Sequence, residues 1–173
     1  LAGNLCRCTG YNPIKKAAKK MYSYGKKDKF SSNEKKIIKI LKSIHQKDII
    51  ISNDNNKFYI PSNLKNLINY TSNLSNFNFV SGGTDIALEV TKKNNTINSL
   101  IYLGNNKDLN YVNIKNNYIN IGSATPINKL IPILKKYYPS FASMFYRYGS
   151  IQIRNVATIG GNLGSASPIG DSL

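Results

Sequence analysis

Two cysteines separated by a single residue, Cys6 and Cys8, are the first groups along this chain that could do chemistry. Side chains that close in sequence rarely form a disulfide with each other, and the chain offers no third cysteine as a partner. Paired thiolates on a tight loop ahead of a helix suit a metal or iron–sulfur site, the plain alternative being two inert thiols. A 2Fe–2S cluster takes four such ligands, so on that reading two lie outside these 173 residues.

The second signal is a pair of glycine-rich turns. Ser81-Gly82-Gly83-Thr84-Asp85 follows a strand-like run, and Thr158-Ile159-Gly160-Gly161-Asn162 follows a further apolar segment. Glycine lets the backbone approach a bound group closely, so successive amide N–H groups can face phosphate oxygens, with Thr84 and Thr158 adding hydroxyls. Asp85 suits capping the next turn better than touching a phosphate. Neither stretch is a Walker loop or a Gly-x-Gly-x-x-Gly fingerprint. Singly, each reads as an ordinary tight turn. Together, with Ser165-Ala166-Ser167-Pro168-Ile169-Gly170-Asp171 just beyond, they favour a dinucleotide site in which Asp171 accepts from sugar hydroxyls or an adenine amino group. No nucleophile–base–acid set emerges: His45 is the one histidine, and the eight acidic residues are scattered. Redox chemistry would therefore come from bound cofactors.

These residues need elements to hold them. Asn12 caps and Pro13 opens a helix with Ile14, Ala17, Ala18 and Met21 at helical spacing, ending near Gly25. Residues 26–57 read as a connector with one helix, opening at Asn33-Glu34 and carrying Ile37, Ile38, Leu41 and Ile44, with His45 near its end. Asp48-Ile49-Ile50-Ile51 has strand length, and residues 52–56 form a turn. Beyond that, α and β alternate. Strands are expected at Phe58-Tyr59-Ile60-Pro61, Asn78-Phe79-Val80 and 99–103, with a hairpin across Asn116-Asn117. Helices are expected after Ser62, over 126–136 with Leu130, Ile133 and Leu134 inward, and over 140–148.

Lys+Arg number 24 against 8 Asp+Glu, a formal charge of +16 that invites a nucleic-acid reading. Only Arg7, Arg147 and Arg154 are arginines, and the lysine pairs are scattered along the whole length, as on a solvated face. No apolar run approaches the ~20 residues of a membrane span. No secretory pattern opens the chain, so a cytoplasmic location is expected. The chain starts at Leu1 and stops at Leu173 inside a Gly/Ser/Pro-rich stretch, and it reads as a fragment.

Gly3-Asn4-Leu5-Cys6-Arg7-Cys8-Thr9-Gly10-Tyr11 resembles the signature that closes the helical 2Fe–2S domain of the molybdenum hydroxylases. Phe79-Val80-Ser81-Gly82-Gly83-Thr84-Asp85, Arg154-Asn155-Val156-Ala157-Thr158-Ile159-Gly160-Gly161-Asn162 and Ser167-Pro168-Ile169-Gly170-Asp171 resemble the FAD-binding motifs of the same enzymes. The likeness is nearest to the iron–sulfur/FAD subunit of xanthine dehydrogenases; an aldehyde oxidase or another molybdenum hydroxylase is the close alternative, and a basic nucleic-acid-binding protein the alternative of another class. The resemblance implies an α+β chain in which residues 1–25 end a helical 2Fe–2S domain. Residues 26–57 connect it to an incomplete FAD-binding PCMH-type α/β domain at 58–173. It further implies that Cys6 and Cys8 ligate a 2Fe–2S cluster and that residues Phe79 to Ile86 wrap the FAD diphosphate. Thr158, Ile159, Gly160, Gly161 and Asn162 would hold its other side, Asp171 the adenosine end, with Tyr148 against FAD where the family usually has Phe. Electrons would run from a molybdenum cofactor on a molybdopterin-binding large subunit, through 2Fe–2S clusters and FAD, to NAD+ during purine oxidation.

Overall fold

In a computed structural model, residues 3–25, 28–44, 47–53 and 55–166 are described, and they fall into two units, Leu1–Gln46 and Lys47–Leu173. In the first, helix α1 (Asn12–Lys20) starts at a left-handed Tyr11 (φ 68°). The cap therefore lies one residue before the expected Asn12, and Pro13 occupies the first turn, where a missing N–H costs nothing. Lys19 and Lys20 sit in the last turn, favourably placed for the helix dipole. A 3-10 turn, Met21–Ser23, follows.

Helix α2 (Lys29–Ser43) starts a full turn before the expected Asn33. Asp28 is the cap: its carboxylate accepts from the Ser31 amide at 2.6 Å, and Asn33 instead folds its side-chain amide back onto the Lys29 carbonyl at 2.8 Å. A short acceptor side chain before the first turn outcompetes a propensity reading of the residues inside it. The predicted place of His45 lies outside the described residues.

The second unit opens with strands β1 (Ile49–Ser52) and β2 (Lys57–Ile60), an antiparallel pair with Ile50 opposite Tyr59. Asn53 closes the turn by accepting from the Asn56 amide at 3.0 Å. The isoleucines that the sequence reading left in the connector thus belong to the sheet. Helix α3 (Leu64–Asn73) is capped by Asn63, which accepts from Asn66 N at 2.9 Å, and not by Ser62. The Ser62 amide goes to Asp48 instead, at 2.8 Å, and the same carboxylate also accepts from Asn66 Nδ2 at 3.0 Å and Tyr70 Oη at 2.8 Å. Burial pushes the Asp48 carboxyl up, but these donors outweigh it and hold the group down at about 2.

Strand β3 (Asn78–Val80), helix α4 (Ile86–Thr91) and strand β4 (Ser99–Tyr102) complete a four-stranded sheet of order β1-β2-β4-β3, with β4 parallel to both β2 and β3. Ile101 at the sheet centre is fully buried against Tyr59 and Leu67.

Strands β5 (Val112–Lys115) and β6 (Tyr118–Ile121) form the expected hairpin, with Asn116 (φ 51°) and Asn117 (φ 62°) both left-handed, the turn that matches strand twist. Four helices follow: α5 (Ile127–Tyr137), α6 (Pro139–Arg147), α7 (Ile151–Val156) and α8 (Ile159–Ser165). Ile127, Leu130, Ile131 and Leu134 of α5 pack with Ala142 and Phe145 of α6 and with Ala157 to form a second core. The α5 N-terminus has no side-chain cap; the Ile127 amide donates to the Ala157 carbonyl at 2.9 Å, tying α5 to the segment that enters α8. The architecture is α+β, as expected. The second glycine-rich segment is not a turn but the first turn of α8, because Thr158 caps it by accepting from the Gly161 amide at 3.2 Å.

Candidate functional site

The loop between β3 and α4 meets the segment entering α8 across a cleft of about 680 Å³. Gly82 and Gly83 do different work in it. A Cβ on Gly82 would land on the Val156 carbonyl, so this glycine lets the loop touch the end of α7 backbone to backbone. Gly83 makes the turn, at φ +72°, where a Cβ would meet only Val80 Cγ2 at 3.9 Å. Among the described residues, no acceptor takes the amides of 81–86. The Ser81 hydroxyl is buried with no hydrogen-bond partner among the described residues. Buried polar groups are ordinarily paired, so this row of donors suits an anionic ligand with oxygen acceptors, as a diphosphate offers. Asp85 holds the cap position of α4 but makes no side-chain cap bond, contrary to the capping role expected of it.

The opposite wall behaves otherwise. The Ile159 amide donates to Thr125 O (3.2 Å), Gly160 to Ser123 O (2.9 Å), Gly161 to Thr158 Oγ1 (3.2 Å) and Asn162 to Thr158 O (3.0 Å). Its glycines serve packing, since a Cβ on Gly160 would collide with Ser123. The amides of the second glycine segment are thus spent inside the protein, contrary to the expectation that both segments turn theirs to a phosphate, while those of 81–86 find no acceptor among the described residues. What the second wall presents is side chains, Asn162 and Ser165 among them.

Of the residues singled out by sequence, Phe79, Val80, Ser81, Gly82, Gly83, Thr84, Asp85 and Ile86 come together with Tyr148, Thr158, Gly160, Gly161 and Asn162 around this one cleft. Ile159 does not line it; it packs against the α5–α6 core. Asp171 lies outside the described residues. Ser123, Leu103 and Ile153 also line the cleft and were missed. A glycine beside Ser123 was the one available hint: a Cβ on Gly122 would strike the Leu109 backbone.

The cleft wall contains no Lys or Arg among the described residues. Its two acids are Asp85 and Glu89, and Glu89 bonds Lys93 at 2.7 Å and Asn95 at 2.8 Å, with Lys93 foremost in keeping its carboxyl below the usual range. The charge of +16 lies elsewhere on the molecule. Arg154 supports the site from behind. One guanidinium nitrogen donates to the carbonyls of Tyr146 (3.3 Å), Tyr148 (2.9 Å) and Gly149 (2.7 Å), gathering the turn between α6 and α7.

In the first unit, Thr9 Oγ1 donates to Cys6 Sγ at 3.3 Å, and this bond is the main cause that lowers the Cys6 thiol below its usual range. The Tyr11 hydroxyl accepts from the Cys6 amide at 3.2 Å and so braces the loop. Cys8 is exposed. Two thiols on one loop, that of Cys6 drawn below its usual range, are the donor chemistry a cluster requires. No third His, Cys, Asp or Glu joins them among the described residues.

A family model described as the FAD binding domain in molybdopterin dehydrogenase matches residues 53–173. Xanthine dehydrogenase 2 of Arabidopsis thaliana is 27% identical over 99% of this chain, and the nicotinate dehydrogenase FAD-subunit of Eubacterium barkeri is 30% identical over 54% of it. The chain covers 17% of the former relative and 32% of the latter. Reconstituted CO dehydrogenase from Oligotropha carboxidovorans shares the fold with a TM-score of 0.63 at 22% identity, over 70% of this chain and 43% of that one.

Proposed function

The chain belongs to the FAD-binding domains of molybdopterin dehydrogenases, and from that premise we propose that it is the flavin-holding, electron-passing part of a xanthine-dehydrogenase-type molybdenum hydroxylase. The observation that carries the reading is the row of undirected amides over 81–86 beside the unpartnered Ser81 hydroxyl. Residues Phe79 to Ile86 would hold the FAD diphosphate with backbone donors, Gly83 leaving room at the turn. Asn162 and Tyr148 would line the far wall, and Asp171, outside the described residues, would take the adenosine end. Cys6 and Cys8 would supply two of four ligands to a 2Fe–2S cluster, the other two lying outside these residues.

Bound there, FAD would supply the exchange between one-electron transfer from an iron–sulfur cluster and two-electron hydride transfer to NAD+. The chain's own part is to bind the diphosphate and to brace the loop that carries Cys6 and Cys8. Hydroxylation of a purine at a molybdenum centre belongs, on this reading, to a molybdopterin-binding large subunit, and the relative described as a nicotinate dehydrogenase FAD-subunit supports a division into subunits. The assembly would work in the cytoplasm; among the described residues no helix is long and apolar enough to cross a membrane.

The test is titration of the purified, flavin-free protein with FAD. Quenched flavin fluorescence with one equivalent bound is expected, and unchanged fluorescence would overturn the flavin reading. For the cluster, Cys6→Ser in the intact protein should cost one of two iron–sulfur EPR signals while FAD stays bound; two undiminished signals would remove Cys6 from the ligand set. NADH should bleach the bound flavin, and a flavin blind to NADH would exclude NAD+ as acceptor.

A further inference from the structure

We infer that Tyr148 is a positioning residue of the cleft, acting through Asn162; this rests on the flavin reading above. Tyr148 ends α6, and its ring sits edge-on to the fully buried Phe145, centroids 6.4 Å apart. Its carbonyl is held by Arg154 at 2.9 Å, and Gly149 after it turns left-handed at φ +49°. Ring and backbone are thus fixed by elements other than the cleft. The one adaptable group left is the hydroxyl, which accepts from Asn162 Nδ2 at 3.3 Å.

Tyr148 and Asn162 both line the cleft, and Asn162 stands on α8. The amides of 159–162 are consumed within the protein, so this wall recognises a ligand through side chains, and the setting of the Asn162 carboxamide matters accordingly. A carboxamide offers a donor at one end and an acceptor at the other, so its rotation exchanges what the ligand meets. The hydrogen bond to the phenol hydroxyl restrains that rotation. Arg154, Tyr148 and Asn162 form one chain of contacts from α7 through the end of α6 to α8. A phenylalanine at 148 would keep the ring packing and lose this control.

The experiment is a double-mutant cycle read by FAD titration of the full chain. Tyr148→Phe should weaken FAD binding about 3- to 10-fold, the scale of one hydrogen bond, with its thermal midpoint close to that of the parent. Asn162→Ala should weaken it at least as much. The double variant should bind like Asn162→Ala alone, because a hydroxyl acting only through Asn162 has nothing left to position. A purely structural role for Tyr148 would instead make the losses add. Additive losses, or Tyr148→Phe binding like the parent, would overturn the inference and leave the flavin reading standing. A parent protein that takes no FAD would overturn both.

Discussion

The Val156 carbonyl occupies the space that a side chain on Gly82 would need, so the β3–α4 loop and the end of α7 touch at a point where only glycine fits. Gly82→Ala must push the two segments apart, at a cost of about 1–3 kcal/mol typical of overpacking. A lower thermal midpoint together with FAD binding weakened by more than about tenfold is expected. Gly83→Ala meets only Val80 Cγ2, at ordinary van der Waals distance, and costs mainly its left-handed backbone, about 1–2 kcal/mol. It should therefore spare the contact with α7. Equal flavin losses in both variants would contradict this division.

The absence of lysine and arginine from the described cleft wall has a measurable consequence. Amide dipoles at short range are screened little by salt, whereas ion pairs at a surface are screened strongly. FAD affinity should change by less than about twofold between roughly 0.05 and 0.5 M sodium chloride. A tenfold loss would show that the chain's lysines reach the ligand after all.

Asp48 sets an acid limit on stability. Its carboxyl is held at about 2 in the folded chain, below the ~3.9 of an unfolded aspartate. A depressed carboxyl contributes stability above its unfolded value and loses it as pH falls through its folded value. Thermal midpoints should fall between pH ~4 and ~2 by an amount equivalent to about 1 kcal/mol, discounted for partial exposure. Asp48→Asn should lack that part of the acid slope. Parallel curves for parent and variant would remove Asp48 as its source.

The β5–β6 turn takes two left-handed asparagines, at φ 51° and 62°. Asn117→Gly relieves the second at no cost in contacts and should stabilise the chain by about 0.5 kcal/mol in denaturant melts. Asn117→Val should destabilise it by more. The reverse order would show that another turn geometry prevails in solution.

The hairpin was legible because Asn-Asn between alternating apolar runs is a local signal, and α5 because its apolar residues keep helical spacing. The first glycine loop and its strand were legible for the same reason. What was not legible depends on distant partners. Gly82 and Gly83 are alike in sequence, yet one answers to Val156 and the other to its own dihedral. The apolar segment over Ile151–Val156 is a helix because Ser150 caps it, accepting from Ile153 N at 3.3 Å, and Arg154 fastens it to the preceding turn. Gly160-Gly161 read as a turn because glycine disfavours helix, but the Thr158 cap and the pairing of 157–160 with 123–127 override propensity. Asn63 took the capping role expected of Ser62, and Asp28 starts α2 a turn before Asn33, for the same reason: a cap is settled by which side chain reaches an amide.

The two walls of the cleft lie far apart along the chain, one at 79–86 and the other at 157–165. Synthesis proceeds from the N-terminus, so the first wall leaves the ribosome while the second is still untranslated. Cofactor loading therefore waits on a long-range closure of the kind that makes folding slow. In a cell, the flavin-loaded fraction would report how many chains have finished folding, and a nascent chain arrested before residue 157 should emerge unable to retain FAD.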